Sequence, residues 1–488
     1  MFEKPIPLLD FQPDADPRIP GVLLDMNNIK GTGRGLVPSR KFAVINGANL
    51  PSRSLGAYTA TLSDGRQLTI AGCNPLPQLF DQNTQSWNNF GFFVQTASPS
   101  RFRFATFGID IIATNATEGP IISADGVGFV RLSTFSDLPT DYIASSVAVV
   151  DEGIFLVQAG TDSWRFSTDP LSWTPSVQQG IVLSGVPGVG GPSGPITGAV
   201  RCRGGIAFYK SNSLSLGRFS GPPFFWNFTT ISENVGCVWQ EAIINAGDLH
   251  LFVGPDDFWI FDGSSLARIP NEVKDWFFAR ITPTQPLFPT GTPFPTIIGR
   301  WDAKRGTAIW HYATQDATAG TLNEWIAFNL RDNKWTRGTQ LVSDILLDSL
   351  PRIDSANDVV QYVPAVFDTD DTLMQETDDP DESYILTGEY GDGNSYFQLS
   401  RVRPIFARWP TDNKARLQAF KRRIFGYPVP DPNPFPQPGV GPSAWLTKDG
   451  AFNFIQTARS HQLMISFLED CDYEITALQG DLVFAGEE

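Results

Sequence analysis

The chain is 488 residues long with a net charge of −16, a length that allows about three domains, or one large all-β domain with a smaller partner. This acidic balance argues against a protein that grips nucleic acid electrostatically, though not against one that lets DNA slide past. Charged residues make up 18% of the chain, below the roughly 25% of ordinary soluble domains, while Gly 44, Pro 38, Phe 37 and Trp 13 predict short strands joined by tight turns.

Cys73, Cys202, Cys237 and Cys471 lie far apart and only three histidines are present, so a zinc site of the usual spacing is not expected and the cysteines read as buried free thiols. Pro5, Pro7 and Asp10 interrupt the apolar core that a signal peptide needs, and no later apolar run reaches the length of a membrane span. A soluble protein made in a cytoplasm, without membrane insertion, is the expectation.

Residues 1–40 are rich in Pro, Asp and Gly and predict an extended arm. Lys41 to Ile45 (KFAVI) then reads as a strand able to close a ring. Six segments follow with one shared form: a Gly or Asp turn, an apolar strand, a polar turn, and a strand ending in aromatics. They are DGRQLTIAG with PQLFDQNTQSW, GIDIIATNA with GPIISADGVGFV, EGIFLVQAG with DSWRFSTDPLSW, GGIAFYKSN with LSLGRFSGPPFFWNF, GDLHLFVG with DFWIFDGSSLARI, and RGTAIWHYA with NEWIAFNLRDNKW. With Gly65, Ile109, Gly153, Gly205, Asp248 and Gly306 as equivalent points, the spacings are about 44, 44, 52, 43 and 58, near the roughly 40–50 of a propeller blade.

One blade cannot bury both faces of its sheet, so neighbours must stack in a ring. The expectation is an all-β fold with a six-bladed β-propeller over residues 41–345; a β-sandwich, or a pair of them, also fits short strands at regular spacing. Between the third and fourth repeats, GVPGVGGPSGP (Gly185–Pro195) holds nothing that could form a core. It reads as a linker or as a rim loop narrowing an opening, with Gly188, Gly190 and Gly191 as channel candidates. A short helix is predicted over Pro270–Phe277, capped by Asn271, with Val273, Trp276 and Phe277 on one face. Thr282 to Thr296, with five prolines, predicts a loop.

Residues 346–384 break the period and read as an acidic linker containing FDTDDTLMQETDDPDES (Phe367–Ser383). It is either a solvated loop or, if it lined a channel, a wall that repels phosphates, which makes Asp370, Asp371, Asp378 and Asp379 gate candidates. Residues 385–488 predict a C-terminal β-sandwich-like domain. Within it Lys414, Arg416, Lys421, Arg422 and Arg423 form the only dense basic patch, either a solvated strand face or a docking surface.

No Gly-x-Ser-x-Gly elbow, Walker loop or His-Glu-x-x-His is present, and His250, His311 and His461 fall in three different strand-like segments. No catalytic, cofactor or metal residues are assigned. A glycosidase needs only two carboxylates at suitable separation, and Trp87, Trp173, Trp226 and Trp335 could offer aromatic faces to a sugar or pack between blades.

Three stretches carry a further resemblance: DMNNIKGTGRGLVPSRKF near the start, GDLHLFVGPDDFWIFDGSSLARIPNEVKDWF in the fifth repeat, and RSHQLMISFLEDCDYEITALQGDLVFAG at the end. With the layout of arm, sixfold repeat and C-terminal β-domain, the chain resembles the tail nozzle or hub proteins of short-tailed, podovirus-type bacteriophages, also called tail tubular protein B or packaged-DNA stabilisation protein. The resemblance implies a non-enzymatic virion protein of the tail, made in the host cytoplasm and homohexameric in the particle. It would dock to an adaptor and portal ring, offer attachment to tail fibres or spikes, and pass double-stranded DNA without sequence-specific binding. A carbohydrate-binding or carbohydrate-cleaving propeller and a receptor-binding tail component are the alternatives.

Overall fold

A computed structural model describes residues 5–92, 100–151, 153–173, 182–185, 194–221, 225–285, 294–354, 359–392, 394–410, 414–421 and 442–486. Gly188, Gly190, Gly191, Arg422 and Arg423 lie outside these residues, as does most of the proline-rich stretch after Thr282.

Six four-stranded antiparallel meanders follow one another along the chain. The first runs through Ala57–Thr61, Gln67–Ala71, Gln78–Asp81 and Ser86–Asn89; the second through Arg103–Phe107, Asp110–Thr114, Ile121–Ser123 and Val130–Arg131. The third comprises Ala144–Val150, Gly153–Gln158, Trp164–Ser167 and Val182–Gly185, and the fourth Gly198–Cys202, Gly205–Tyr209, Leu214–Gly221 and Phe225–Ser232. Ile244–Asn245, His250–Val253, Phe258–Phe261 and Leu266–Arg268 form the fifth; Ile297–Asp302, Thr307–Tyr312, Leu322–Asn329 and Lys334–Val342 form the sixth. All six repeat points read from the sequence fall where a first strand gives way to a second: Gly65, Ile109, Asp248 and Gly306 in the turn, Gly153 and Gly205 as the first residue of the second strand. Two of them, Gly65 at φ 90° and Gly306 at φ 67°, occupy the left-handed region that only glycine enters cheaply.

The first strand of each meander neighbours the first strand of the next, from Ala57–Thr61 round to Ile297–Asp302. The circuit closes through Asp344–Leu347, which pairs in parallel with the first meander (Leu346 with Ala57, Leu347 with Tyr58). Lys41 to Ile45 therefore does not close the ring. It belongs to Arg40–Asn49, which pairs with Thr372–Pro380 at the far side of the same eight-stranded sheet. Aromatic side chains fill the seams between meanders because each sheet's apolar face can be buried only against its neighbour. Phe155 of the third meander meets Phe208 and Trp226 of the fourth. Phe258 of the fifth meets Trp310 and Trp335 of the sixth.

The ends of the chain depart from the expected arm and linker. Residues 1–40 contribute strands to two sheets that they share with the C-terminal region. Leu23–Asn27 joins Ser383–Tyr390, His461–Phe467, Ala415–Lys421 and Ser443–Trp445. Ile29–Gly31 and Leu36–Pro38 join Glu474–Gly486, Tyr396–Arg408 and Phe452–Ala458, with Ile6–Pro7 also paired to Glu474–Gly486. Ile385, Leu417, Leu463, Val402, Phe452 and Ile475 from the two sheets share one buried core. The stretch expected as an acidic loop is also built from strands, Ala365–Phe367 and Thr372–Pro380 among them. Thr372–Pro380 buries Leu373 and Glu376 and leaves Asp378 and Asp379 in solvent, so its charge coexists with strand pairing.

The helix spans Lys274–Arg280, starting later than expected. Asn271 Oδ1 accepts from the backbone N–H of Val273 (3.3 Å) and Lys274 (3.1 Å). Asp14, from the N-terminal segment, accepts from Asp275 N (2.8 Å) and Trp276 N (3.0 Å). The orphan donors of the first turn are thus satisfied from two distant parts of the chain.

Candidate functional site: an axial cavity

Where the first strands converge lies a cavity of about 610 Å³. Tyr58, Thr106, Val149, Arg201, Asn245 and Trp301, one residue from each first strand, line it together with Leu347 of the closing strand. Antiparallel meanders set in a closed circuit around one central cavity are a β-propeller.

Three of the charged groups lining this cavity, Arg101, Arg103 and Glu241, are ion-paired among themselves or with Asp344, while Arg201, Arg300 and Asp348 line it without an ion pair among the described residues. Arg101 Nη1 lies 2.7 Å from Asp344 Oδ1 and Arg101 Nε 4.0 Å from Glu241 Oε1, while Arg103 Nη2 lies 2.6 Å from Glu241 Oε1. Burial pushes Glu241 up, but Arg103 and Arg101 outweigh it and hold the carboxyl below its ordinary range. It is thereby held as a carboxylate. Asp348, the other carboxylate lining the cavity, is pushed up to about 6 by desolvation of its carboxyl, although the residue as a whole is exposed. A glycosidase needs one carboxyl that holds a proton and a second that acts beside it. Glu241, ionised beside two arginines, is not the proton-holding member of such a pair.

Among the described residues no group of three or more His, Cys, Asp or Glu is placed to hold a metal ion. His250 is buried, donating from Nε2 to Arg201 O (2.7 Å) and accepting at Nδ1 from Tyr209 Oη (2.8 Å); burial holds it down at about 4. His461 is bonded to Gln456 Oε1 and to Phe397 O. The four cysteines are buried free thiols. Trp173, Trp226 and Trp335 are buried between meanders, and Trp87 packs on Phe80 and Phe367. The faces of Trp173, Trp226 and Trp335 are therefore occupied by protein, and Trp87 is half-buried.

The acidic candidates do not line the axial cavity. Asp370 is exposed on the turn before Thr372–Pro380. Asp371, at φ 57°, accepts from Ser343 Oγ (2.8 Å) and Ser54 N (3.3 Å), tying the turn to the closing strand and the first meander. Asp378 and Asp379 are exposed, with Arg40 donating to Asp378 O (2.8 Å). Lys414, Arg416 and Lys421 come together on or beside Ala415–Lys421; Arg416 and Lys421 are exposed and Lys414 half-buried. The ion-paired group Arg101, Arg103, Glu241 and Asp344 carries no local signal, since its members stand singly in unrelated stretches.

No protein-family model matches the chain, and no curated protein matches its sequence. In fold it is similar to the WD40 domain of Neurospora crassa Pan2, at 10% identity over 66% of this chain and 88% of that one, with a TM-score of 0.39. It is similar also to YCF48 from Cyanidioschyzon merolae, at 10% identity over 68% and 98%, TM-score 0.40. A third likeness is the extracellular domain of BT4673 from B. thetaiotaomicron, at 10% identity over 76% and 44%, TM-score 0.42. At these scores the propeller assignment rests on the strand circuit and its cavity. Among the described residues no helix is long and apolar enough to cross a membrane.

Proposed function

We propose that the chain is a structural, non-enzymatic subunit of a short-tailed phage tail: a nozzle or hub protein, homohexameric in the particle and located in the virion tail. In this reading the six meanders are six blades, and the two sheets shared by the chain ends are a β-sandwich-like second domain. The observation that supports it is the pairing of Arg101 and Arg103 with Glu241 and Asp344, which ties the closing strand to the first two meanders and engages Glu241, one of the two carboxylates lining the axial cavity.

A cavity of about 610 Å³ suits a small molecule and not a duplex. DNA would therefore pass between copies in a ring, past surfaces whose charge of −16 per chain repels phosphates. Adaptor or portal ring, and tail fibres or spikes, are the proposed partners. The patch around Arg416 and Lys421 is the proposed docking surface.

Cryo-EM of particles carrying the protein tests this reading. Six copies around a central channel are expected. Three copies on a peripheral appendage, or no association with particles, would overturn it in favour of receptor binding or carbohydrate recognition.

A further inference from the structure

A second cavity, of about 340 Å³, lies where the sixth meander meets Ile29–Gly31, Arg40–Asn49 and Thr372–Pro380. Arg300 and His311 are buried in its wall, and Lys30, Arg40, Lys41, Asp381 and Glu469 are its less buried charged members. His311 is 1% exposed and Arg300 8%. Neither ring nitrogen of His311 has a hydrogen-bond partner, and neither does Nε of Arg300.

The nearby carboxylates are already engaged. Glu376 accepts from Lys30 Nζ at 2.8 Å and faces Arg305 Nη1 at 3.1 Å, and Asp302 lies 2.8 Å from the same Arg305 nitrogen. Lys30 and Arg305 thus take up Glu376 and Asp302, Asp381 of the lining accepts from Asn28 Nδ2 at 3.2 Å, and Arg300 has no ion pair among the described residues. Burial, with Arg300 and Lys30 beside it, drives His311 well below its ordinary pKa, so the ring is neutral and has one N–H to donate. An unpaired guanidinium and an unsatisfied imidazole at one cavity wall are costly unless something pairs with them.

We propose that this cavity binds a small oxyanion, a phosphate or carboxylate group, with Arg300 as its counter-charge and His311 as a second donor. A guanidinium presents parallel N–H groups that match two oxygens of such a group. Lys41 at the mouth is held by Glu469 (3.3 Å) and Asp470 (3.0 Å), so those carboxylates oppose a large polyanion and confine the site to small ligands. The volume is at the low end for small-molecule sites. The site is independent of any role in a tail.

Titrating the full chain with inorganic phosphate and, separately, acetate tests the proposal, with sodium chloride at matched ionic strength as reference. Calorimetry and thermal shift read affinity, and imidazole resonances in a nitrogen-15 spectrum report on the site, because the chain has only three histidines. One of the two anions is expected to bind saturably and to move the His311 signals while leaving those of His250 and His461 in place. Which anion does so identifies the oxyanion. Arg300→Gln should weaken binding at least tenfold. If that variant does not fold, the His311 signals of the unaltered chain, with His311→Gln to assign them, decide the matter. Shifts no larger than with chloride, or His311 signals that neither anion moves, would overturn the proposal and leave the cavity to water.

Discussion

Arg101 Nη1 and Asp344 Oδ1 are 2.7 Å apart, although 243 positions separate the two residues in sequence. Asp344 also accepts from Ser54 Oγ (2.7 Å) and Gly56 N (2.8 Å), so one buried carboxylate joins the closing strand, the entry to the first meander and the entry to the second. The parallel ladder it reinforces is only two residue pairs long. Asp344→Ala is expected to cost about 3–5 kcal/mol in urea unfolding, because it leaves a buried cation and two donors short of an acceptor. A double-mutant cycle with Arg101→Ala should return a coupling of about 0.5–3 kcal/mol. Strict additivity would show that the pair does not clasp the ring.

The aromatic seams set a second expectation. Trp335 touches Phe258, Trp310 and Phe328 and donates from Nε1 to Pro270 O at 3.0 Å. Trp335→Ala should destabilise the protein by about 3–5 kcal/mol. The exposed Trp445 serves as comparison, with Trp445→Ala expected within about 0.5 kcal/mol of the unaltered chain. Thermal or urea unfolding of the two variants checks the contrast.

Acid should loosen the junction between the sixth meander and Thr372–Pro380. Burial pushes Glu376 up, but Lys30 and Arg305 outweigh it and hold the carboxyl at about 2. A folded pKa below the unfolded one contributes stability that is present above about pH 4.5 and lost as pH falls toward about 2, on the order of 3 kcal/mol in all. Melting temperatures measured between pH 5.5 and 2.5, as planned set points spanning about that window, should fall less steeply in Glu376→Gln than in the unaltered chain. Parallel curves would refute this assignment.

Thiol chemistry gives a reading of the seams in the native state. Cys73 and Cys202 are pushed up to about 12 by burial, and Cys237 is raised further by the same cause. All four cysteines should resist a thiol reagent in the folded protein and react together in denaturant. Rapid native labelling of any one would locate a seam that opens.

On the proposed docking surface, Arg416→Glu with Lys421→Glu should leave the melting temperature nearly unchanged, since both side chains are exposed. Incorporation into particles should drop. Normal incorporation with an intact fold would remove this strand from the docking proposal.

The six meanders are legible in the sequence, because a hairpin depends on neighbours: a turn at Gly65 or Gly306, alternating apolar residues, and an aromatic at the next strand's end are all local. The sequence likewise placed the three histidines in strands and Asn271 at the start of a helix. The tertiary structure alone decided that Asp344–Leu347 and not Lys41 to Ile45 closes the ring, and that residues 1–40 are woven into the C-terminal sheets. It also decided that Thr372–Pro380 is a paired strand despite its charge, and that Arg101 meets Asp344 and Arg300 lies unpaired near His311. Period-two alternation is the same whichever strand becomes the partner, and a single arginine or aspartate looks alike in solvent or in a buried pair. Pairings between segments hundreds of residues apart are chosen by how the whole chain buries its surface, and that choice leaves no mark within any one stretch.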